Sequence, residues 1–273
     1  MGLVTDLAGF FTQRNTGPAG PQPSGNVAWA IQLADELKAV VRQDSADAPR
    51  SQQVELGPSE VGHPCQRQIA GKRAGLPRTN HVVDPWPSWV GTGLHAHIDR
   101  ALQASGNPRW ISENRVCPDV TLCGTADLFD LHTGTVIDHK FLGATALDKI
   151  KRKGAGDTYR KQTLLYARGY KRLGLPVRRV MLMLWPRTGS SLSMAYAYGI
   201  DLTSETEAET DDLLFNLIPQ QLEYADQLRK GQVQLHDIPA SPDSDNCYFC
   251  PFFRPEENQT ATTCRGHVGN TER

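Results

Sequence analysis

The sequence has no long apolar run. Nowhere do about 18 or more apolar residues follow one another, so no membrane-spanning helix is expected. It opens without the basic and then apolar segments of a secretory leader. Asp6 stands where a myristoylation signal needs Ser or Thr. Net charge is nearly absent, at −1, which by itself points neither toward nor away from nucleic acid. No internal repeat is visible. A cytoplasmic address is therefore expected, where thiols stay reduced and closely spaced cysteines bind metal more often than they pair. What remains is an ordinary globular composition over 273 residues, long enough to bury a core without disulfide staples.

The charge is unevenly spread. Between Lys149 and Arg179 there are eleven basic residues and one acid, Asp157. Such a stretch attracts phosphate. Lys151, Arg152, Lys153, Arg160 and Lys161 are its candidate DNA contacts, against the plainer alternative of a solvated helical face.

Along the chain, residues 1–25 end in a Gly- and Pro-rich segment that reads as a flexible tail. Residues 26–57 read as a helical lead-in and a loop. Ala30, Leu33, Ala34, Leu37, Val40 and Val41 form the apolar stripe of that helix. Turns are expected at Pro58–Glu60 and Pro85–Trp89, with a helix over residues 91–102. Strands are expected at Trp110–Val116, Leu122–Leu131, Thr135–Leu142, Val180–Trp185 and Met194–Ile200. Helices are expected at Tyr159–Leu173 and, kinked by Pro219, at Thr206–Arg229. This order predicts an α/β fold, a mixed sheet flanked by helices.

The sharpest chemistry lies in Cys123-Gly124-Thr125-Ala126-Asp127 and Val136-Ile137-Asp138-His139-Lys140. Residues two apart on a strand share a face, so Asp138 and Lys140 project together. A hairpin brings Asp127 beside Asp138. Paired carboxylates repel unless a cation joins them, and oxygen ligands suit Mg²⁺ or Mn²⁺. The alternative is an exposed hairpin with an ordinary ion pair. His97 and His139 are expected to face away from this group, Asp130 to cap the turn, and Glu113 to be a possible further ligand. Trp86, Trp89 and Trp185 read as core residues, or as platforms on which single-stranded bases stack.

Upstream stands Gly91-Thr92-Gly93-Leu94-His95, and downstream Gln162-Thr163-Leu164-Leu165-Tyr166. The ordered set Gly-x-x-x-His, Gly-x-x-Asp, Asp-x-Lys and Gln-x-x-x-Tyr resembles the RecB-like branch of the PD-(D/E)XK nucleases. The resemblance spans roughly residues 58–264. It implies a restriction-endonuclease-like core, with residues 58–273 as the nuclease domain. It implies that His95, Asp127 and Asp138 hold Mg²⁺ or Mn²⁺, that Lys140 is catalytic, and that Gln162 and Tyr166 position substrate or lysine. The implied activity is hydrolysis of DNA, exonucleolytic on ends or single strands, in replication, recombination or repair. A helicase or recombination protein is the implied partner. A structure-specific endonuclease and a non-catalytic nucleic-acid-binding module remain as alternatives.

Cys247-Tyr248-Phe249-Cys250, followed by Cys264, is a metal-ligand spacing. With Cys65 far upstream, the pattern resembles the iron–sulfur nucleases of the same superfamily, the CRISPR-associated RecB-like exonucleases and AddB-type nucleases. That resemblance implies a [4Fe–4S] cluster on Cys65, Cys247, Cys250 and Cys264, clasping the two ends of the domain. The gap from Cys250 to Cys264 is longer than that family's. The alternative is zinc on Cys247, Cys250, Cys264 and His267. Cys117 and Cys123 read as core thiols.

Overall fold

A computed structural model describes residues 28–48, 55–80, 84–255 and 260–266. The expected tail over 1–25 and the zinc candidate His267 lie outside these residues. The chain divides into two compact units, Met1–Ala48 and Pro49–Arg273.

In the first unit, helix α1 (Ala28–Asp47) forms where the apolar stripe called for one and runs further than expected. Side-chain pairs one turn apart, such as Gln32 with Glu36 and Gln43 with Asp47, support its polar side. Its apolar residues Trp29, Leu33, Leu37 and Val40 are exposed.

The second unit is α/β, as expected, built on a five-stranded mixed sheet. Its strands are β1 (Trp110–Val116), β2 (Gly124–Asp130), β3 (Thr135–Leu142), β4 (Arg179–Pro186) and β5 (Tyr196–Asp201), in spatial order β1-β2-β3-β4-β5. All neighbours are antiparallel except β3 and β4, which are parallel. A parallel pair needs a long crossover. It is supplied by α5 (Ala144–Lys153) and α6 (Asp157–Arg172). Gly134, at φ +67°, takes the left-handed turn conformation between β2 and β3 that favours glycine.

The helices before the sheet are α2 (Pro58–Val61), α3 (Gln66–Arg73) and α4 (Trp86–Ala104). After it come α7 (Ser204–Asp212), α8 (Ile218–Arg229) and α9 (Ser244–Tyr248). Two expected turns are helical instead. Pro58 and Pro87 each sit in the first helical turn, where proline's missing N–H has no partner to lose. Around Pro219 the chain is divided rather than simply bent. A π-helical turn, Leu213–Leu217, separates α7 from α8 and leaves the proline in the first turn of α8. Helix α5 was not expected, because Lys149–Lys153 dominates its sequence. Leu147 and Ile150, three apart, are its buried face and pack with Leu182 and Leu184 of β4.

The main core lies between the sheet and α6. Val116, Ala126, Phe129, Val136 and Val180 meet Tyr166, Ala167 and Tyr170 there, and Phe129 stacks on Tyr170 at 4.7 Å. Among the described residues, no helix is long and apolar enough to cross a membrane.

Candidate active site

Strand alternation carries the sheet's inner face from apolar to charged. Phe129 and Val136 are cross-strand partners in the core, and two residues further along each strand stand Asp127 and Asp138. The antiparallel register sets those two opposite each other, one step past the ladder's last pair, Leu128 with Ile137. The same rule on β1 sets Glu113 opposite Asp127. Three adjacent strands therefore put Glu113, Asp127 and Asp138 in one row. The next register position holds Arg115, Thr125 and Lys140, but simple alternation breaks at Glu113, and Val116 and Ala126 join Phe129 in the core while Arg115 and Thr125 are exposed.

Helix α4 brings His95 to this row, with Nδ1 at 3.7 Å from Asp127 Oδ2. Among the described residues, ligand atoms of His95, Glu113 and Asp127 lie within 4.8 Å of one another, a spacing one metal ion can bridge. Glu113 is the one described non-glycine residue with a positive φ, 47°. That strained backbone costs on the order of 1–3 kcal/mol, at a residue whose carboxylate belongs to the trio.

Asp138 is 1% exposed and held from two sides. Gln162 Nε2 donates to its Oδ1 at 2.9 Å, and Lys140 Nζ lies 2.7 Å from its Oδ2. The lysine contact is an ion pair without hydrogen-bond alignment. Lys140 also donates to Gln162 Oε1 at 3.0 Å and lies over the Tyr159 ring. Gln162 thus ties acid to base through its two amide atoms, and a further contact of 3.5 Å reaches the Tyr166 hydroxyl.

Crowding of like charge leaves a mark. The Asp127 carboxyl is pushed up to about 7, first by burial and then by Asp138, while Lys140 and the His139 N–H, which donates to Asp127 Oδ2 at 2.6 Å, pull it down. The Glu113 carboxyl is raised by desolvation and by Asp99. The site is short of positive charge, as a cation-binding site is before it binds.

Asp127, Asp138, Lys140, Gln162, Tyr166 and His95 all line one cleft of about 850 Å³, together with Arg115, Thr125 and Lys72. Glycine at 124 has a steric reason, since a Cβ there would lie 2.7 Å from Pro58 Cδ. Arg115 and Thr125 were not singled out from sequence. Their register position beside Glu113 and Asp127 is the signal that could have found them.

Neighbouring residues do other work. His139 lines a separate cavity on the sheet's other face. Burial pushes its imidazole down to about 4, and Trp185 donates to Nδ1 at 3.3 Å, so the neutral ring carries its proton on Nε2. His97 is exposed. Asp130 accepts from the His132 N–H and the Thr133 hydroxyl at the hairpin turn and pairs with Arg109, which holds its carboxyl down at about 2.

The expectation of core thiols at Cys117 and Cys123 is corrected, because the two form a disulfide. The register that pairs Val116 with Gly124 sets them opposite each other one step further on, and both are only half-buried. The remaining four cysteines are not disulfide-bonded and line one cavity with Arg67 and Phe253. Cys65 caps the start of α3. Arg67 Nη1 donates to Cys264 Sγ at 3.1 Å, and its Nη2 donates to the His236 carbonyl at 2.7 Å. Thr79 and Asn80 N–H groups both donate to the Pro251 carbonyl. Burial and the neighbouring thiols push Cys250 up to about 12, against the pull of the Phe252 N–H. No three of the four sulfurs close to within 4.8 Å of one another.

The basic run splits in two. On α6, Arg160 pairs with Glu209, Arg168 with Glu207 and Asp211, and Lys171 with Glu207, all acids of α7. Lys161 pairs with Asp157 at 3.6 Å. On α5, Lys149, Lys151, Arg152 and Lys153 are exposed and form no ion pair among the described residues. The balancing acids lie some forty residues downstream, where a count over residues 149–179 could not see them.

The fold and site together define an α/β domain with a carboxylate–lysine cleft of metal-binding character. No family model matches the sequence, and no curated protein does. Among solved structures, the chain is similar to an alkaline exonuclease (LHK-Exo) from Laribacter hongkongensis, at 13% identity and a TM-score of 0.47, covering 67% of this chain and 95% of that one. The same exonuclease in complex with dAMP matches at 12% identity and a TM-score of 0.47 over the same shares. A phage-related exonuclease from Haemophilus somnus 129PT matches at 12% identity and a TM-score of 0.42, covering 66% of this chain and 96% of that one.

Proposed function

We propose that the chain is a divalent-metal-dependent nuclease of the PD-(D/E)XK type that hydrolyses phosphodiester bonds in DNA, working from ends or on single strands. The observation that carries this reading is the union, in one cleft, of Asp127 and Asp138 on neighbouring strands with Lys140 at 2.7 Å from Asp138. The donor set fits a hard cation: carboxylates from neighbouring strands, one histidine, and a buried Asp138 oxygen left without an aligned donor. Asp127, Asp138 and His95 would hold Mg²⁺ or Mn²⁺, with Glu113, which clusters with His95 and Asp127, as a fourth ligand. The ion supplies a Lewis acid to the phosphate and lowers the pKa of water.

The chain's own groups do the rest. Lys140 offers a fixed positive charge where negative charge gathers on the phosphate oxygens in the transition state. Gln162 fixes Lys140 and Asp138 relative to each other by bonding both. The unpaired basic face of α5 supplies sequence-independent attraction for the DNA backbone.

These four cysteines are proposed to hold a [4Fe–4S] cluster rather than zinc. Cys65 lines the same cavity as Cys247, Cys250 and Cys264, which a four-cysteine cluster requires and the zinc set without Cys65 does not. The cluster's role is to clasp residues 65–80 to residues 236–264.

The test is cleavage of end-labelled single- and double-stranded DNA with Mg²⁺ or Mn²⁺ and with chelator. Metal-dependent release of nucleotides supports the reading. A folded, metal-supplied protein that leaves both substrates intact refutes it.

A further inference from the structure

The helix that carries His95 has a second exposed feature at its start. Trp86 and Trp89 lie three residues apart, on one side of α4, and their rings stack at 5.5 Å with 20° between planes. They remain 54% and 38% exposed. The same side continues through Gly93, His97 and Arg100. At Gly93 an added Cβ would meet nothing within 4 Å, so the surface beside Trp89 is open. His97 and Arg100 are exposed. The expectation that these tryptophans are core residues is corrected.

The surroundings are cationic. Arg187, at the end of β4, donates from Nη1 to the Pro87 carbonyl at 3.4 Å. Its backbone N–H holds the Leu142 carbonyl at the end of β3, and its Nη2 lies 3.6 Å from where a Gly143 Cβ would be. Arg187 forms no ion pair among the described residues. Gly143 starts α5, whose last turn carries Lys151, Arg152 and Lys153. Asp84, the nearest acid in sequence, is engaged by the Trp86 N–H. Arg187 thus links the first turn of α4 to the end of β3, two residues past Lys140. Trp89 lies about 9 Å along the helix from His95, at 1.5 Å per residue.

We infer that Trp86, Trp89 and Arg187 form a stacking platform for single-stranded nucleic acid at the start of the helix that carries His95. The inference deepens the nuclease reading and rests on it, naming the substrate as an unpaired strand. An exposed indole face offers a base the stacking that a duplex base already has on both sides. Arg187 takes the phosphate between stacked bases. Duplex DNA can bind the basic α5 but cannot use the tryptophans without fraying.

The test measures binding with Ca²⁺ in place of the catalytic ion, using the anisotropy of a labelled oligothymidylate and of a blunt duplex of equal length. The wild type binds the single strand at least about tenfold tighter. The double variant Trp86→Ala, Trp89→Ala weakens single-strand binding at least about fivefold and the duplex by less than about twofold. Trp86→Phe with Trp89→Phe keeps an aromatic face and keeps the preference, which separates stacking from a folding defect. Arg187→Gln lowers the salt slope on single strands by about one phosphate. Equal wild-type affinity for both substrates, or an equal loss on both in the alanine variant, overturns the platform. No cleavage is needed, so the two readings fail separately. Tryptophan-dependent single-strand binding by a protein that cleaves nothing sinks the nuclease, and cleavage with binding indifferent to both tryptophans sinks the platform.

Discussion

The carboxylate cleft and the thiol cavity pose the same physical problem and reach it by different routes. In each, ionisable groups of one sign are crowded and buried, so that Asp127 is pushed up to about 7 and Cys250 up to about 12. A bound cation would relieve each. The cleft draws its acids from three neighbouring strands, residues 113–138, with a fixed lysine beside them. The thiol cavity draws Cys65 from one end of the domain and Cys247, Cys250 and Cys264 from the other. The cleft is positioned by sheet register and can survive an ion's loss. The cavity ties distant segments, so its occupant bears on folding itself.

The largest expected effect belongs to the cleft. Asp138→Asn or Lys140→Met should lower the metal-dependent cleavage rate by at least about a thousandfold, because each removes a charge used in the transition state. The melting temperature should change little with Lys140→Met. A variant that cuts at the wild-type rate would remove the site assignment.

The thiol cavity should behave oppositely. Cys65→Ala should bleach the broad visible absorbance of a thiolate-bound iron cluster and lower the melting temperature, since it unties a loop of nearly two hundred residues. Asp138→Asn should keep the colour. A colourless wild-type protein with stoichiometric zinc, indifferent to Cys65→Ala, would contradict the iron–sulfur reading and sharpen the contrast differently.

Gln162 gives a smaller, positioning effect. Gln162→Leu leaves every charge in place but frees Lys140 from its tether. Cleavage should fall about 10- to 100-fold, in kcat more than in KM. An equal loss in Gln162→Glu and Gln162→Leu would argue that the amide's two bonds are not what matters.

The cleft also predicts a pH dependence of metal-free stability. A carboxyl with an ordinary value of 3.8 that rises to about 7 on folding binds its proton more tightly in the folded protein. Its contribution is therefore fully present below 3.8 and fades as pH rises through about 7. Asp127→Asn should abolish that fade and raise the melting temperature at pH 8 more than at pH 5. A wild type whose metal-free stability is flat from pH 4 to 8 would remove this argument.

The smallest effect concerns the basic run. Lys151→Glu, Arg152→Glu and Lys153→Glu together should flatten the salt dependence of DNA binding, because these side chains are exposed and unmatched. Arg160→Glu should act mainly on stability, since Glu209 already takes that guanidinium. Equal salt slopes in the two variants would mean that the split between α5 and α6 has no functional meaning.

Much of the cleft was legible because it is local. Two-residue alternation put Asp138 and Lys140 on one face, and a short hairpin put Asp127 opposite. Strand β3 ran where its residues called for it. The rest depended on partners far away in sequence. Helix α5 was hidden because its two buried residues are outnumbered by lysines, and its need to pack on Leu182 and Leu184 appears only once β4 is in place. The acids of α7 that neutralise α6 were equally remote. The disulfide was legible in principle, since the hairpin register that pairs Arg115 with Thr125 also opposes Cys117 and Cys123, but an expectation of reduced thiols pointed elsewhere.

The central claim is that Asp127 and Asp138 hold the ion that cleavage needs. It is tested most directly by titrating Mn²⁺ into metal-free protein while following the spin resonance of bound ion and the cleavage of end-labelled single-stranded DNA in the same sample. The account predicts that cleavage rises in step with Mn²⁺ bound to the wild type, and that Asp138→Asn loses both together. Full Mn²⁺ binding in Asp138→Asn, or wild-type cleavage that persists in chelator, would contradict it.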